Sequence, residues 1–166
     1  MNSSTLSAMT HSLQLLGFAL IVGGILCLGA FVAPVLFREI PRADAGAILV
    51  TVFRRFDMLL LGALGMVLVG EAARLLIGGW PGFTWLSILR SLLLVALTGL
   101  MFLSTLKVNA EIAEMQVTGK IHSTQIEERQ AFLKTHALSE KLYKAQCLLA
   151  ALLLLLAPLA MARSES

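Results

Sequence analysis

Three charged residues interrupt the long apolar stretches of this chain: Glu71, Arg74 and Arg90. Glu71 and Arg74 stand three residues apart, a spacing that puts both side chains on one face of a helix. An arginine in hydrocarbon costs about 2.5–3.5 kcal/mol on insertion scales, so these groups must neutralise one another or reach water. Two guanidinium groups and one carboxylate give a net charge near +1. We therefore expect a polar pocket suited to an anionic ligand or to proton exchange.

A structural role for the same three residues is the competing interpretation. Counting about 1.5 Å per residue from Asp57 along a helix puts Glu71 about 21 Å into a hydrocarbon core of about 30 Å. Arg74 and Arg90 would lie close enough to the headgroups for their charged ends to reach them, whereas Glu71 would not. Glu71 therefore needs an arginine partner, and Arg90 on the following helix is the better candidate. The sequence leaves both interpretations open, a binding pocket and a structural ion pair.

Transmembrane helices are the elements expected to carry these residues. Hydrophobic residues make up 58% of the 166 residues, charged residues only 14%, and the mean hydropathy is +0.86. A soluble domain of this size could not cover its surface with so few charges, which indicates an integral membrane protein. A helix needs about 20 residues to cross a bilayer. Four segments have about this length: residues 13–37, 58–80, 83–106 and 145–162.

These segments predict one integral membrane domain over residues 1–166. Its fold class is all-α, a four-transmembrane-helix bundle with a cytoplasmic helical hairpin, residues 107–144, between the third and fourth spans. Residues 38–57 are expected to form a short amphipathic helix that lies on the interface or runs into the second span, starting near Pro41. Small residues in the first two spans predict close helix packing: Ala19, Gly23, Gly29, Ala33, Gly62, Gly65 and Gly70.

The basic residues predict how the bundle is oriented. Ten of the 13 Lys and Arg residues fall within residues 38–57 and 107–144. Because cytoplasmic loops carry an excess of Lys and Arg, both segments are expected in the cytoplasm and both termini outside. The pocket at Glu71, Arg74 and Arg90 would then occupy the outer half of the membrane.

Asp57 and His136 are secondary binding candidates. Asp57 follows Arg54 and Arg55, and an ion pair at the membrane interface is expected for it. His136 lies in the predicted hairpin beside the membrane surface, where a capping or hydrogen-bonding role is favoured over metal ligation.

A copper site is a further alternative. Cys27, Met66 and Met101 would fall mid-membrane on three different helices, where a thiolate and two thioethers could hold Cu(I). The same residue types are also ordinary apolar packing residues. Cys27 and Cys147 are expected to be free thiols because they would lie at different depths.

Two passages of the chain carry patterns of a known family. One is "VGGILCLGAFVAPVLFREIPRADAGAILVTVFRRFD", residues 22–57, and the other is "FLKTHALS", with Phe132, His136 and Ser139 ahead of the last span. Both passages resemble the transmembrane protein 205-like family, a domain of unknown function. The resemblance covers about residues 13–156 and implies a four-span membrane fold without an established activity.

The architecture is also distantly similar to the copper-resistance D membrane domain and to HemJ-type protoporphyrinogen oxidases. That similarity implies copper or haem as a cofactor. Those proteins tend to carry a histidine early in the first span and a tryptophan just ahead of the glycine pair. This chain has Gln14 and Val22 at the nearest positions, and His11 lies outside the predicted span.

The sequence is compatible with three functions. The chain could bind or pass a small solute, ion or metal through its pocket, dock a partner through the hairpin as an accessory or assembly protein, or act as a HemJ-like oxidoreductase. The sequence contains no nucleophile–base pair, phosphate loop or dinucleotide motif, which favours a non-enzymatic role. No cofactor is predicted, with copper and haem kept as alternatives. The expected partners are the bilayer and a second copy or another membrane protein, and the dispersed net charge of +3 argues against nucleic acid.

Overall fold

Four long helices make up the computed structural model, which describes residues 3–78, 85–119 and 125–162. Helix α1 covers residues 3–39 and consists of Ser3–Leu26, a π-helical segment Cys27–Val32, and Ala33–Glu39. Helix α2 is Arg42–Gly78. Helix α3 covers residues 85–117 and consists of Trp85–Leu103, a π-helical segment Ser104–Val108, and Asn109–Val117. Helix α4 is Ile126–Ala162, and no strand occurs in the described ranges.

Three of these helices are long and apolar enough to cross a membrane: Thr5–Glu39, Asp44–Leu76 and Trp85–Val117. This finding supports the predicted membrane class and the all-helical fold. The fourth crossing, predicted over residues 145–162, is not among the helices that meet the same length and hydropathy requirements within the described residues. It stays a prediction, as does the cytoplasmic position of the hairpin.

The helices extend beyond the predicted spans because a helix continues wherever its backbone hydrogen bonds can form, inside or outside the bilayer. Of the two alternatives for the amphipathic segment, on the interface or running into the second span, the structure has the second, because α2 is continuous over 37 residues. Its first turn is closed by the Ala45 N–H, which donates to the Pro41 carbonyl at 3.0 Å. The hairpin turn contains Gly119 with φ of 73°, a conformation that glycine adopts without strain. The predicted tight turn around residues 79–84 lies outside the described residues.

Buried side chains recur at intervals of four and three residues along the helices. In α3 the buried residues are Arg90, Leu94, Leu97, Met101, Ser104, Val108 and Ile112. In α1 the same spacing joins Thr10, Gln14, Gly17, Ile21 and Leu28. This is the spacing of core positions in packed helices, so polar residues within the stripe must be buried together with the apolar ones.

One apolar core is shared by all four helices. Its buried members are Phe18 and Ile21 of α1; Leu60, Ala63, Leu64 and Val67 of α2; Leu94, Leu97 and Met101 of α3; and Ala150 and Leu153 of α4. Helix α1 packs against α2 and α4, and α4 also packs against α3. A smaller cluster of Val108, Ile112 and Leu142 lies toward the hairpin. The two polar sites described below lie at opposite ends of the shared core.

Two glycines let α1 and α2 approach closely. A Cβ at Gly17 would stand 2.8 Å from the Ala63 carbonyl oxygen, and one at Gly70 would stand 2.5 Å from Gln14 Cγ. The sequence named Gly70 for this role but missed Gly17. It was wrong for four other glycines, since a Cβ there would meet no described atom within 4 Å: Gly23, Gly29, Gly62 and Gly65. Small residues allow close packing only on the face that meets the neighbouring helix.

We predict that Gly17→Ala destabilises the bundle. The added methyl group would press on the backbone of α2, and overpacking of this kind costs about 1–3 kcal/mol. The matched control is Gly23→Ala on the same helix, which adds a methyl group into open space and removes the low helix propensity of glycine. Thermal unfolding in detergent should show a lower midpoint for Gly17→Ala and an unchanged or higher one for the control. Equal midpoints would contradict the close approach.

Candidate functional site

Glu71 is the central acceptor of a buried network that joins three helices. We call this network the Glu71 cluster and define it as Gln14, Glu71, Arg74 and Arg90. The Arg90 guanidinium donates to Glu71 Oε2 at 2.8 Å, and Arg74 donates to Glu71 Oε1 at 2.6 Å. Gln14 of α1 bonds to both members of the Arg90–Glu71 pair. Its Nε2 donates to Glu71 Oε2 at 2.8 Å, and its Oε1 accepts from Arg90 at 2.8 Å. Glu71 therefore pairs with both arginines, whereas the sequence singled out Arg90.

The members of the Glu71 cluster differ in how much solvent they reach. The Arg90 side chain is 5% exposed, that of Glu71 13% and that of Arg74 20%. Gln14 is fully buried at 1%. Access from outside the bundle is therefore greatest at Arg74, and Arg90 is the charge that most needs a partner inside the protein.

The Glu71 cluster has more hydrogen-bond donors than acceptors. Its two guanidinium groups face one carboxylate, which leaves a net charge of +1. Among the described residues, the Nε atoms of Arg74 and Arg90 are buried and have no hydrogen-bond partner. Buried donors are nearly always paired, so two unpaired N–H groups in one cluster require an explanation. An additional acceptor that carries negative charge would satisfy both the charge and the donors.

Gln14 was missed as a member of this site by reasoning from sequence. It appeared only as the residue nearest to a family histidine. The signal that could have found it is its place in the α1 stripe of Thr10, Gln14, Gly17 and Ile21, where a polar side chain faces inward. Its Cγ also lies against Gly70, so the close approach of α1 and α2 brings the amide to Glu71.

A second polar network lies at the other end of the apolar core. We call it the Asp57 cluster and define it as Asp57, Ser104, Asn109, Ser139 and Tyr143. The Tyr143 hydroxyl donates to Asp57 Oδ1 at 2.6 Å, and Asn109 Nδ2 donates to Asp57 Oδ2 at 2.8 Å. Ser139 donates to Asn109 Oδ1 at 2.9 Å, and Ser104 Oγ lies 3.4 Å from Asn109 Nδ2. The carboxylate of α2 is thus surrounded by neutral polar groups of α3 and α4.

The expected ion pair of Asp57 with Arg54 and Arg55 is wrong. Asp57 is buried at 3% exposure, while Arg54 and Arg55 are exposed. Among the described residues, Asp57 has no ion pair, and its hydrogen bonds come from Asn109 and Tyr143. Arg55 lies two positions before Asp57 and so on the other side of the helix, while Arg54, about one turn before it, is exposed at the edge of the buried face.

The other candidate residues lie outside the two clusters. His136 is exposed, and its ring stacks on that of Phe132 with centroids 5.7 Å apart. His122 lies outside the described residues. Cys27 and Cys147 are free thiols.

The donor sets do not fit the copper or haem that the distant similarities imply. Cys27 is exposed, whereas Met101 is buried in the core at 1%, so the two sulfur atoms occupy different environments. Gln14, at the position nearest to a family histidine, uses both ends of its amide on Arg90 and Glu71. Within the described residues no group of three or more His, Cys, Asp or Glu side chains could hold a metal ion.

Comparison with known proteins identifies one family. Residues 16–121, more than half of the chain, match the family described as a domain of unknown function (DUF4149). No curated protein and no solved structure matches the chain. The matched region contains Glu71, Arg74 and Arg90, and Gln14 lies two residues ahead of it. The match agrees with the predicted domain of unknown function, while the more specific resemblances to the transmembrane protein 205-like family and to the copper-resistance D and HemJ-type proteins stay predictions.

We predict that Glu71→Gln strongly destabilises the protein. The change leaves two guanidinium groups facing each other, and removing one partner of a buried pair costs about 3–5 kcal/mol. Glu140→Gln is the matched control, because Glu140 also pairs with a cation, Lys144, but both side chains are largely exposed. Unfolding in mixed detergent should show a much lower free energy of unfolding for Glu71→Gln and an unchanged one for the control. Similar losses in the two variants would mean that Glu71 does not neutralise Arg90.

Proposed function

The chain belongs to the DUF4149 family, and we propose that it is a multi-pass membrane protein that binds a small anion at the Glu71 cluster. The observation that carries this proposal is the unequal charge of the cluster: two arginines face one carboxylate. A purely structural pair needs one arginine, and Arg90 already supplies it. A second arginine beside Glu71 adds a charge that a further anion would balance.

The unpaired donors favour an anion with several oxygen atoms. The Nε–H groups of Arg74 and Arg90 have no acceptor among the described residues, although both atoms are buried. Guanidinium groups present planar arrays of donors that match carboxylate and phosphate oxygens in pairs. An oxyanion would therefore satisfy both Nε–H groups and bring the charge of the cluster to zero.

Arg74 is the entry point of the proposed site. Its side chain is the most exposed of the cluster at 20%, and that of Arg90 is held inside at 5%. An anion would meet Arg74 first and approach Arg90 through it. The attraction is strengthened by the apolar surroundings, where charges are screened less than in water.

The topology that supports this function is part of the proposal. Helix α4 would provide the fourth crossing over residues 145–162, and residues 107–144 would form the cytoplasmic hairpin. The distribution of Lys and Arg supports both termini outside. The Glu71 cluster would then face the outer half of the membrane and receive its anion from that side.

We predict that Arg74→Gln weakens anion binding at least about tenfold and leaves the fold intact. The variant keeps the Arg90–Glu71 pair and its Gln14 link, so the cluster becomes neutral and remains paired. Loss of one charged contact, about 1.5–3 kcal/mol, raises the Kd for an anion about tenfold or more. The probe is inorganic phosphate, titrated into detergent-purified protein at constant ionic strength set with chloride. The readout is the thermal unfolding midpoint, which rises with phosphate when the folded state binds it.

The matched control for this titration is Arg54→Gln. Arg54 is an exposed arginine of the same helix and lies outside the Glu71 cluster, so its removal lowers the net charge equally. Phosphate should stabilise the wild type and Arg54→Gln to the same extent, and Arg74→Gln should need about tenfold or more phosphate for the same rise in midpoint. A wild type that does not respond to phosphate above the chloride baseline would leave the cluster with a structural role only.

Exposed apolar side chains in the hairpin favour an accessory role as the second candidate. Val117 is 89% exposed, Ile126 73% and Leu133 54%, and all three lie in the polar section between the third and fourth predicted spans. Exposed apolar side chains outside the predicted spans are typical of docking surfaces when they form a patch. The partner would be another membrane protein bound on the cytoplasmic side. For the third function, a HemJ-like oxidoreductase, the described residues contain no group of three or more His, Cys, Asp or Glu side chains that could hold a metal ion.

A double substitution of Ile126 and Leu133 by serine separates the two candidates. If the hairpin docks a partner, this variant loses the protein that co-purifies with the wild type in mild detergent and keeps its response to phosphate. Arg74→Gln should show the opposite pattern. Retention of the partner by the serine variant would remove the hairpin as the docking surface.

A further inference from the structure

The Asp57 carboxyl group is buried without a cationic partner. It is 3% exposed, and among the described residues no lysine, arginine or histidine lies within ion-pair distance of it. Glu71 of the same helix, in contrast, faces two guanidinium groups. An isolated carboxylate in an apolar interior is so costly in free energy that the group binds a proton instead. The surroundings of Asp57 therefore favour its neutral form.

Neighbouring helices do not supply a compensating charge. The charged side chains of the helix segments at this end of the core are exposed: Arg38 and Glu39 of α1; Asp44, Arg54 and Arg55 of α2; Lys107 and Glu111 of α3; and Glu140, Lys141 and Lys144 of α4. Among the described residues, the titratable group in contact with Asp57 is Tyr143, whose hydroxyl oxygen lies 2.6 Å from Asp57 Oδ1. A proton is the compensation that needs neither a further side chain nor additional space.

The Tyr143 hydroxyl links Asp57 to Ser104. It lies 2.6 Å from Asp57 Oδ1, accepts from Asn109 Nδ2 at 2.8 Å and also hydrogen-bonds to the Ser104 side chain. A hydroxyl group has one hydrogen and two lone pairs, so these three partners use it fully. Asp57, Tyr143 and Ser104 thus form a row of oxygen atoms in which the hydrogens can point in either direction.

Both directions of this row leave its hydrogen bonds intact. With Asp57 ionised, Ser104 donates to Tyr143 and Tyr143 donates to Asp57. With Asp57 protonated, its Oδ1–H donates to Tyr143 and Tyr143 donates to Ser104. The Ser104 hydroxyl can then donate to a carbonyl of the preceding turn, as serine in helices often does. Asn109 donates to Asp57 Oδ2 in both states, so only hydrogen atoms have to move.

We propose that Asp57 is a reversible proton-binding site that is occupied in the folded protein at neutral pH. The proton is bonded to Oδ1. When it is lost to water, the Oδ1–H bond breaks and the hydroxyl hydrogens of Tyr143 and Ser104 turn back toward Asp57. The ionised carboxylate then stands in the bundle without a cation. Proton uptake therefore stabilises the packing of α2 against α3 and α4.

The π-helical segment of α3 positions two members of the cluster. In a regular α-helix, residues five positions apart are turned by about 140° from one another. Ser104–Val108 forms a wider turn, and the Asn109 N–H donates to the Ser104 carbonyl five residues back. The angle between the two residues is thereby smaller, and both side chains reach the Tyr143 hydroxyl. Single π turns of this kind occur frequently at functional sites.

The experiment is infrared spectroscopy of the purified full-length protein in detergent, recorded at neutral and at alkaline pH. A protonated carboxyl group has a carbonyl stretching band that a carboxylate lacks. The wild type should show this band at neutral pH and lose it as the pH rises. Asp57→Asn should lack the band, whereas Asp44→Asn, which removes an exposed acid of the same helix, should keep it. A wild type without the band, or an unchanged band in Asp57→Asn, overturns the proposal.

Thermal unfolding gives a second readout with the same variants. Because loss of the proton leaves an unpaired charge inside the bundle, the wild-type midpoint should fall as the pH rises through the range in which the band disappears. Asp57→Asn should fold and lack this fall, since an amide donates to Tyr143 and accepts from Asn109 as the protonated acid does. An equal fall in Asp57→Asn would contradict the proposal.

Tyr143→Phe keeps the test decisive if Asp57→Asn fails to fold. This variant removes the acceptor of the Asp57 proton and retains the ring that packs 5.5 Å from Phe53. Its carbonyl band should move to higher frequency, because the carboxyl group loses a hydrogen bond, and carbon-13 labelling of aspartate identifies the band. A band at the wild-type frequency would overturn the proposal. Neither readout uses phosphate, so this site and the anion site can fail separately.

Discussion

The pair between Arg90 and Glu71 is the constraint on which the rest of the bundle depends. A guanidinium group inside an apolar helix bundle must be neutralised. Glu71 of α2 neutralises Arg90 of α3, with Glu71 Oε2 2.8 Å from the guanidinium nitrogen. That requirement sets the height at which α2 and α3 stand relative to each other. Gln14 extends the same requirement to α1 because it bonds to both members of the pair. Apolar side chains alone would not define this alignment so sharply, since hydrophobic packing is non-directional.

The Asp57 cluster applies a second constraint at the opposite end. Asp57 must meet Asn109 and Tyr143, which fixes α2 against α3 and α4. The apolar core lies between the two clusters. Apolar packing alone would let one helix shift by a turn against another at a smaller cost in free energy. The bundle therefore has polar contacts at its two ends and apolar packing between them. The two ends also differ in their charged groups: two guanidinium groups face one carboxylate around Glu71, whereas the Asp57 carboxyl is surrounded by neutral groups.

Part of this arrangement follows from the sequence. The sequence predicted that Glu71, Arg74 and Arg90 lie at a similar depth in the membrane. This prediction came from the spacing of Glu71 and Arg74 and from the distance of each charge to a helix end. The same reasoning gave Asp57 exposed arginine partners and overlooked Asn109, Ser104 and Tyr143. Those residues look like ordinary polar residues near a membrane boundary until their helices are packed. The buried stripe of four-and-three spacing would have singled out Ser104 and Gln14, although not the atoms that they contact.

Composition and periodicity by themselves determined the membrane class, the all-helical fold and the set of charges that needed partners, because these depend on local helix geometry and on the cost of charge in hydrocarbon. Only the tertiary structure decided which partners those charges have. Glu71 has two arginines and a glutamine, whereas Asp57 has neutral groups from two other helices. The physical reason is rotational: a helix can turn about its axis without changing its sequence pattern, and close approach at Gly17 and Gly70 selects the rotation that brings Gln14 to Glu71.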